Sequence, residues 1–178
     1  MSIHYSKIGE GSPLILIHGL FGTADNLKTI GQALADTYTV YLIDAPGHGQ
    51  SDTLEPLTLT AMAETVYQFA KEQELTKFSM LGHSLGGKIA MELSPMYPGV
   101  VDKLIVADIA PVQYPRRHDV IINALSSVPL STLASRGAAD KVLGESIEEK
   151  GVRGFLLKSL AKDDNKQWRW QFDLQGLS

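Results

Sequence analysis

Short apolar runs alternate with longer stretches of helical spacing over the first 110 residues. Pro13 to His18, "PLILIH", is almost continuously apolar and stops at Gly19. Continuous rather than alternating apolarity predicts a strand covered on both faces. "NLKTIGQALADTY" follows, with Leu27, Ile30 and Leu34 at helical spacing and Asp25 as the expected N-cap. "TVYLID" (Thr39 to Asp44) predicts a second buried strand, and the glycine-rich "APGHGQSD" a loop after it. "LTAMAETVYQFAKEQE" predicts an amphipathic helix with Met62, Val66 and Phe69 inward. A third strand, "FSML", leads into a helix with Ile89, Ala90 and Leu93 on one face; "DKLIVADIAP" (Asp102 to Pro111) holds a fourth strand closed by proline. Strand–helix alternation with two-sided burial implies an α/β fold, a mostly parallel sheet with helices on both faces.

The pattern changes after Pro111. "RRHDVIINALSSV", "STLASRGAADKVLG" and "SIEEKGVRGFLLKSLA" predict three helices, no further convincing strand is read, and "QWRWQFDLQGLS" is at most an extended piece. The expected division is therefore an α/β part, residues 1–110, and a helical addition, residues 111–178.

Composition narrows the chemistry. With 44% hydrophobic and 20% charged residues and a net charge of -4, the chain is an ordinary globular one with no polyanion-binding signature, and no nucleic-acid partner is expected. The absence of cysteine excludes disulfides, a thiolate nucleophile and zinc–thiolate sites. No secretion-signal pattern opens the sequence and no apolar run approaches spanning length, so a cytoplasmic protein without a membrane partner is expected. "GHG" and "GGK" match neither the phosphate-loop nor the dinucleotide pattern, and no cofactor is expected.

The chemistry concentrates at Gly82-His83-Ser84-Leu85-Gly86, between a strand and a helix. G-x-S-x-G in that context matches the nucleophile elbow: a tight, strained turn projects the hydroxyl from the sheet's carboxyl edge, and side chains two residues to either side would collide. The competing reading is a plain polar turn. A serine nucleophile also needs oxyanion donors. Leu85 N–H is one candidate. The loop "HGLFG" supplies Leu20 N–H, or Phe21 N–H as the alternative.

"HGLFG", "DAPGHGQSD" and "GHSLGG", in that order, resemble the α/β-hydrolase family. "DKLIVADIAPVQYPRRHD" is similar to small bacterial esterases of the YbfF type, with carboxylesterase and acyl-thioesterase character. The resemblance implies the α/β-hydrolase fold with a helical cap after the strand carrying "VAD". It implies Asp108 as triad acid in this branch, where many members carry the acid after a later strand; a turn-bracing aspartate is the competing reading. Asp44, His48 and Asp52 resemble loop-bracing residues. The substrate expected is a small acyl ester or thioester. Phe21, His83, Arg116 and Arg117 are candidate substrate contacts, with a surface role the alternative for the arginine pair. Phe155, Leu156 and Leu157 would cover an acyl pocket or simply pack the cap. A dehalogenase would carry aspartate at position 84.

The base is missing from this picture. Of the five histidines, His83 is expected to leave the elbow away from the hydroxyl, His18 to brace the oxyanion loop, and His48 to belong to its own loop. His4 lies near the terminus, and His118 is expected at a pocket rim. The order Ser–Asp–His places the base after a final strand, and the resemblance implies such a strand and a late histidine that these 178 residues do not contain. The chain thus reads as the front part of an esterase, lacking C-terminal strands and a helix. Alone, it is expected to be a catalytically incomplete scaffold that associates with the missing segment or with another copy.

Overall fold

The computed structural model describes residues 1–112, 114 and 118–177, in two compact units, Met1–Pro111 and Val112–Ser178. The first unit is built on five strands: β1 (Tyr5–Ile8), β2 (Ser12–Ile17), β3 (Tyr38–Ile43), β4 (Phe78–His83) and β5 (Val101–Ala107). Three helices connect them: α1 (Lys28–Leu34), preceded by a 3₁₀ turn at Ala24–Leu27, α2 (Leu59–Glu72) and α3 (Leu85–Met96). The sheet order is β1-β3-β2-β4-β5, parallel throughout except for β1, which runs antiparallel to β3.

Both faces of the central strands are covered, as their unbroken apolar runs require. Leu14, Leu16, Val40 and Leu42 point to one face and pack with Leu27, Ala24 and Leu34 from the first helical segment. Residues one position along point to the opposite face, where Tyr41 meets Phe69 of α2 at 6.1 Å between ring centroids. Met62, Val66 and Phe69 of α2, and Ile89, Ala90 and Leu93 of α3, are all buried as their spacing implied.

Two local expectations are corrected. Ile30 is 43% exposed, and the buried position of α1 is Gly31, whose missing Cβ leaves room for Leu42: a Cβ there would lie 3.1 Å from Leu42 Cδ1. Asp25 lies inside the 3₁₀ turn and does not cap it. The cap is Thr23, whose N–H donates to Asn26 Oδ1 at 2.7 Å.

The register aligns the carboxyl ends of the strands. Ile17 pairs with Ile43 on one side and Gly82 on the other, and Gly82 pairs with Val106. His18, Asp44, Ser84 and Asp108 therefore leave the sheet along a single edge. From β2 the chain steps to β3 on one side, then crosses to β4 on the other. The reversal of direction falls between β2 and β4, and in open α/β sheets the crevice at that point, outside the carboxyl ends, is where ligands bind.

The second unit holds α4 (Asp119–Ser127), α5 (Arg136–Leu143), α6 (Lys150–Lys158) and a hairpin of β6 (Leu160–Lys162) and β7 (Trp168–Trp170). The three helices match the sequence reading. β7 lies in the piece read as extended, whereas β6 corrects the reading of Leu160 and Ala161 as the end of the third helix. Trp170 donates its indole N–H to Leu125 O at 3.3 Å and stacks on Phe172, and Arg136 donates to Leu160 O at 2.6 Å. Leu156 and Leu157 are buried and Phe155 is half-buried. Arg116 and Arg117 lie outside the described residues.

Leu16 is fully buried in the cluster on the first face. Leu16→Ala is expected to cost about 2–5 kcal/mol, the range for a buried leucine whose site collapses only in part. Urea denaturation measures it, and a loss under about 1 kcal/mol would contradict two-sided burial of β2.

Candidate active site

Ser84 occupies the single residue between β4 and α3. Its backbone lies at φ 49° and ψ -111°, a region L-residues avoid and that costs of order 1–3 kcal/mol. Backbone hydrogen bonds to both neighbouring strands' ends over-determine it. Ser84 N–H donates to Ala107 O at 2.9 Å, and Gly86 N–H donates to His18 O at 3.1 Å. The flanking glycines are steric necessities. A Cβ on Gly82 would lie 2.3 Å from Gly86 O, and one on Gly86 would lie 2.2 Å from Ile17 O. Behind them, a Cβ on Gly87 would lie 2.6 Å from Ile109 Cγ2, so this helix start sits hard against the last strand's exit.

The loop after β2 passes directly beside the serine. A Cβ on Gly19 would lie 3.3 Å from Ser84 Cβ and 2.8 Å from His83 Nδ1. Gly22 N–H closes a turn onto Gly19 O at 3.0 Å, and Phe21, in the turn, adopts φ 63°. Phe21 is buried and its N–H donates to His48 Nε2 at 3.3 Å. Among the described residues, no acceptor takes the N–H of Leu20, nor that of Leu85 at the N-terminus of α3. One unclaimed donor thus lies in the loop that passes beside Ser84 and the other directly follows Ser84 in the chain, at a helix start that adds the positive end of its dipole.

Asp108 follows β5 at φ 57°, with its side chain 87% exposed. The register pairs His83 with Ala107, which sets Ser84 and Asp108 side by side at two strand ends. The His83 ring turns toward this carboxylate, its Nε2 3.7 Å from Asp108 Oδ2. That separation is too long for a direct hydrogen bond and suits an ion pair when the ring is protonated.

His18 and His48 are both fully buried, 0% and 1% exposed, with rings edge-to-face at 5.3 Å. His18 Nε2 accepts the Ala45 N–H at 3.0 Å, so Nδ1 carries the hydrogen and donates to Gly19 O at 2.8 Å. His48 Nε2 accepts from Phe21, and its Nδ1–H donates to Pro46 O at 3.1 Å. With both nitrogens engaged, neither ring has one left for a proton transfer. Asp44 is also buried. Its Oδ1 accepts the Ala24 N–H at 2.7 Å, and its Oδ2 accepts the Gln50 N–H and His4 Nδ1–H, each at 3.0 Å. A Cβ on Gly49 would lie 2.0 Å from that carboxylate. Sequence reasoning placed these side chains in bracing loops but missed the exchange of bonds between the two loops. The available signal was the pair of "HG" steps, one after each of two adjacent strands.

The α/β hydrolase fold profile matches residues 12–131. The chain belongs to the α/β-hydrolase fold family. It is 36% identical to Esterase YbfF of Escherichia coli (strain K12) over 162 residues, 90% of this chain and 63% of that protein. It is 32% identical to the sn-1-specific diacylglycerol lipase ABHD11 of Danio rerio, covering 96% of this chain and 56% of that one. Among solved structures it is similar to a marine microorganism esterase, with TM-score 0.94 and 37% identity, over 98% of this chain and 70% of that chain. The chain spans about three fifths of the length of the curated relatives it matches. No helix among the described residues is long and apolar enough to cross a membrane. Nor do those residues group three or more potential metal-ligating His, Cys, Asp or Glu side chains.

In this α/β-hydrolase, His18 carries a pH signature. Burial lowers its pKa below the ordinary 6.5, against opposing contributions from Gly19 O and Asp44. The unfolded chain therefore binds a proton near pH 6.5 that the folded chain refuses. Stability is full above that value and falls as pH drops from it toward the folded pKa, by up to about 1.4 kcal/mol per pH unit. Urea midpoints taken between pH 7.5 and 5.5 are expected to show this fall, with a shallower slope in His18→Gln. An equal slope in both proteins would show that the buried ring is not its source.

Proposed function

We propose that the protein is a serine hydrolase that cleaves carboxylic esters or acyl thioesters through an acyl-enzyme on Ser84. The observation that carries this reading is the strained backbone of Ser84 between two unclaimed N–H donors, Leu20 and Leu85. A serine turned into a costly conformation and faced by paired donors suits nucleophilic attack on a carbonyl. The named esterases and lipase among its relatives support the carboxylic esters of that substrate class.

In the proposed mechanism, Ser84 Oγ attacks the acyl carbon while a histidine base takes its proton. The Leu20 and Leu85 amides receive the negative charge that develops on the carbonyl oxygen, each worth about 10²–10³ in rate. The tetrahedral intermediate collapses, the carbonyl re-forms, and the alcohol or thiol leaves with the proton from the base. Water, deprotonated by the same base, then releases the acid and restores Ser84. Asp108 is proposed to orient the base and stabilise its protonated form. His18 and His48 are unsuited to that role because both nitrogens of each ring are engaged. Ser–Asp–His order puts the base after a strand later than β5, whereas His118 directly precedes α4. The residues from Val112 to Ser178 are proposed to act as the cap.

A second reading is a catalytically incomplete hydrolase scaffold that binds ligands or partners without turnover. It is favoured by the lack of a suitable base among the histidines beside the site, since both nitrogens of His18 and of His48 are engaged.

A fluorophosphonate probe separates the two readings. In a protein that also carries the histidine base, the hydrolase is expected to gain one adduct, located by peptide mass on Ser84 and lost in Ser84→Ala. No adduct, or one that survives the substitution, would remove Ser84 from the mechanism.

In a protein that also carries the histidine base, Asp108→Asn is expected to lower hydrolysis of a short-chain ester by about 10²–10⁴, the range for losing the group that orients a triad histidine, with an unchanged circular-dichroism spectrum. Near-wild-type turnover would assign the acid elsewhere.

A further inference from the structure

Two loops leave adjacent parallel strands, and each contributes one buried histidine to the other. His18, at the exit of β2, clips its own loop through Nδ1–H to Gly19 O and accepts the Ala45 N–H of the neighbouring loop. His48, in the loop after β3, clips its own loop through Nδ1–H to Pro46 O and accepts the Phe21 N–H in return. The two bridges are reciprocal, stacked edge-to-face, and shut off from water.

We propose that His48 is a positioning residue of the oxyanion loop: by holding the Phe21 amide it fixes the turn Gly19–Gly22 so that the Leu20 N–H stands unclaimed beside Ser84. The proposal rests on the serine-hydrolase reading and adds to it a residue that touches neither substrate nor nucleophile.

Three observations support it. Phe21 sits at φ 63°, a conformation that a bulky residue keeps only when its surroundings impose it. The His48 bond is made to the amide of that same residue. Gly19, two residues earlier, runs so close to Ser84 that a Cβ there would lie 3.3 Å from the serine Cβ, so a small rotation of the loop moves the Leu20 amide relative to the serine. An oxyanion donor acts only when aimed at the place where charge develops, so the ring that sets the aim affects rate without contacting the substrate. The bridge also demands one tautomer. Nε2 must be bare to accept, and Nδ1 must carry the hydrogen. His18 secures the other end by tethering the loop that carries His48 back to β2's exit.

The test compares His48→Phe, which keeps a ring of similar size without an acceptor, with His48→Gln, whose Oε1 can accept the Phe21 N–H. Three measurements are made: the rate of fluorophosphonate attachment to Ser84, hydrogen exchange of the Phe21 amide, and the ¹⁵N shifts of the His48 ring in the unaltered protein at pH 7.5. Expected are an unprotonated Nε2 and a protonated Nδ1, a protected Phe21 amide, and attachment slowed about 10–100-fold in His48→Phe and largely restored in His48→Gln. Equal attachment rates in the two variants and the unaltered protein, or an Nε2–H tautomer, would overturn the proposal. The attachment rates are read in a protein that also carries the histidine base; if Ser84 of that unaltered protein takes no probe, the serine-hydrolase reading fails by itself. Exchange then decides the loop claim: Phe21 protected in His48→Gln and exposed in His48→Phe supports it, and equal exchange overturns it. Should His48→Phe fail to fold, the ring shifts and the exchange of Phe21 in the unaltered protein and in His48→Gln decide between the two outcomes.

Discussion

The arrangement depends on one strained residue being held from two sides. Ser84 gives its amide to the end of β5, and Gly86, two residues on, gives its amide to the exit of β2. Those bonds stitch three strand ends into one rigid corner and sustain a backbone conformation that an isolated peptide would abandon. Three positions at the corner are glycine for that reason. Gly82, Gly86 and Gly87 each lie where a single added carbon would strike backbone or a neighbouring side chain. The result is a serine whose backbone is held in place by the sheet itself, directly before the first amide of α3.

Much of this was legible because it follows from local necessity. The unbroken apolar runs in "PLILI", "TVYLI" and "FSM" could be satisfied only by burial on two faces, and the glycine–serine–glycine spacing only by a turn too tight for side chains. Less was legible where a residue's role depends on what lies across the fold. β1 escaped notice because "YSKI" is largely exposed at the sheet edge, with little apolar pattern to betray it. Ile30 and Gly31 exchanged roles because the space under α1 is set by Leu42, on another element. The hairpin β6–β7 rests on strands of three residues each, too short for period-two alternation to register.

The site divides the same way. Ser84 and the loop "HGLFG" are recognisable from spacing alone. Which amide of that loop is left unclaimed is not, since Phe21 and Leu20 are neighbours and only the position of His48, 27 residues later, separates them. Likewise His83 could be placed in the elbow, but its approach to Asp108 arises from the pairing of β4 with β5.

The antiparallel course of β1 has a practical consequence for handling this molecule. Because Tyr5 pairs with Ile43, the residues ahead of β1 lie at the same edge as Ser84 and its neighbouring loops. Ser2 exchanges hydrogen bonds with Asp52, while His4 reaches both Ser51 and Asp44. An affinity tag fused ahead of Met1 would emerge over that edge and tug on the segment that steadies Asp44. A purification handle placed there would therefore report on an altered loop region, and preparations with the tag removed are the proper reference for kinetic work.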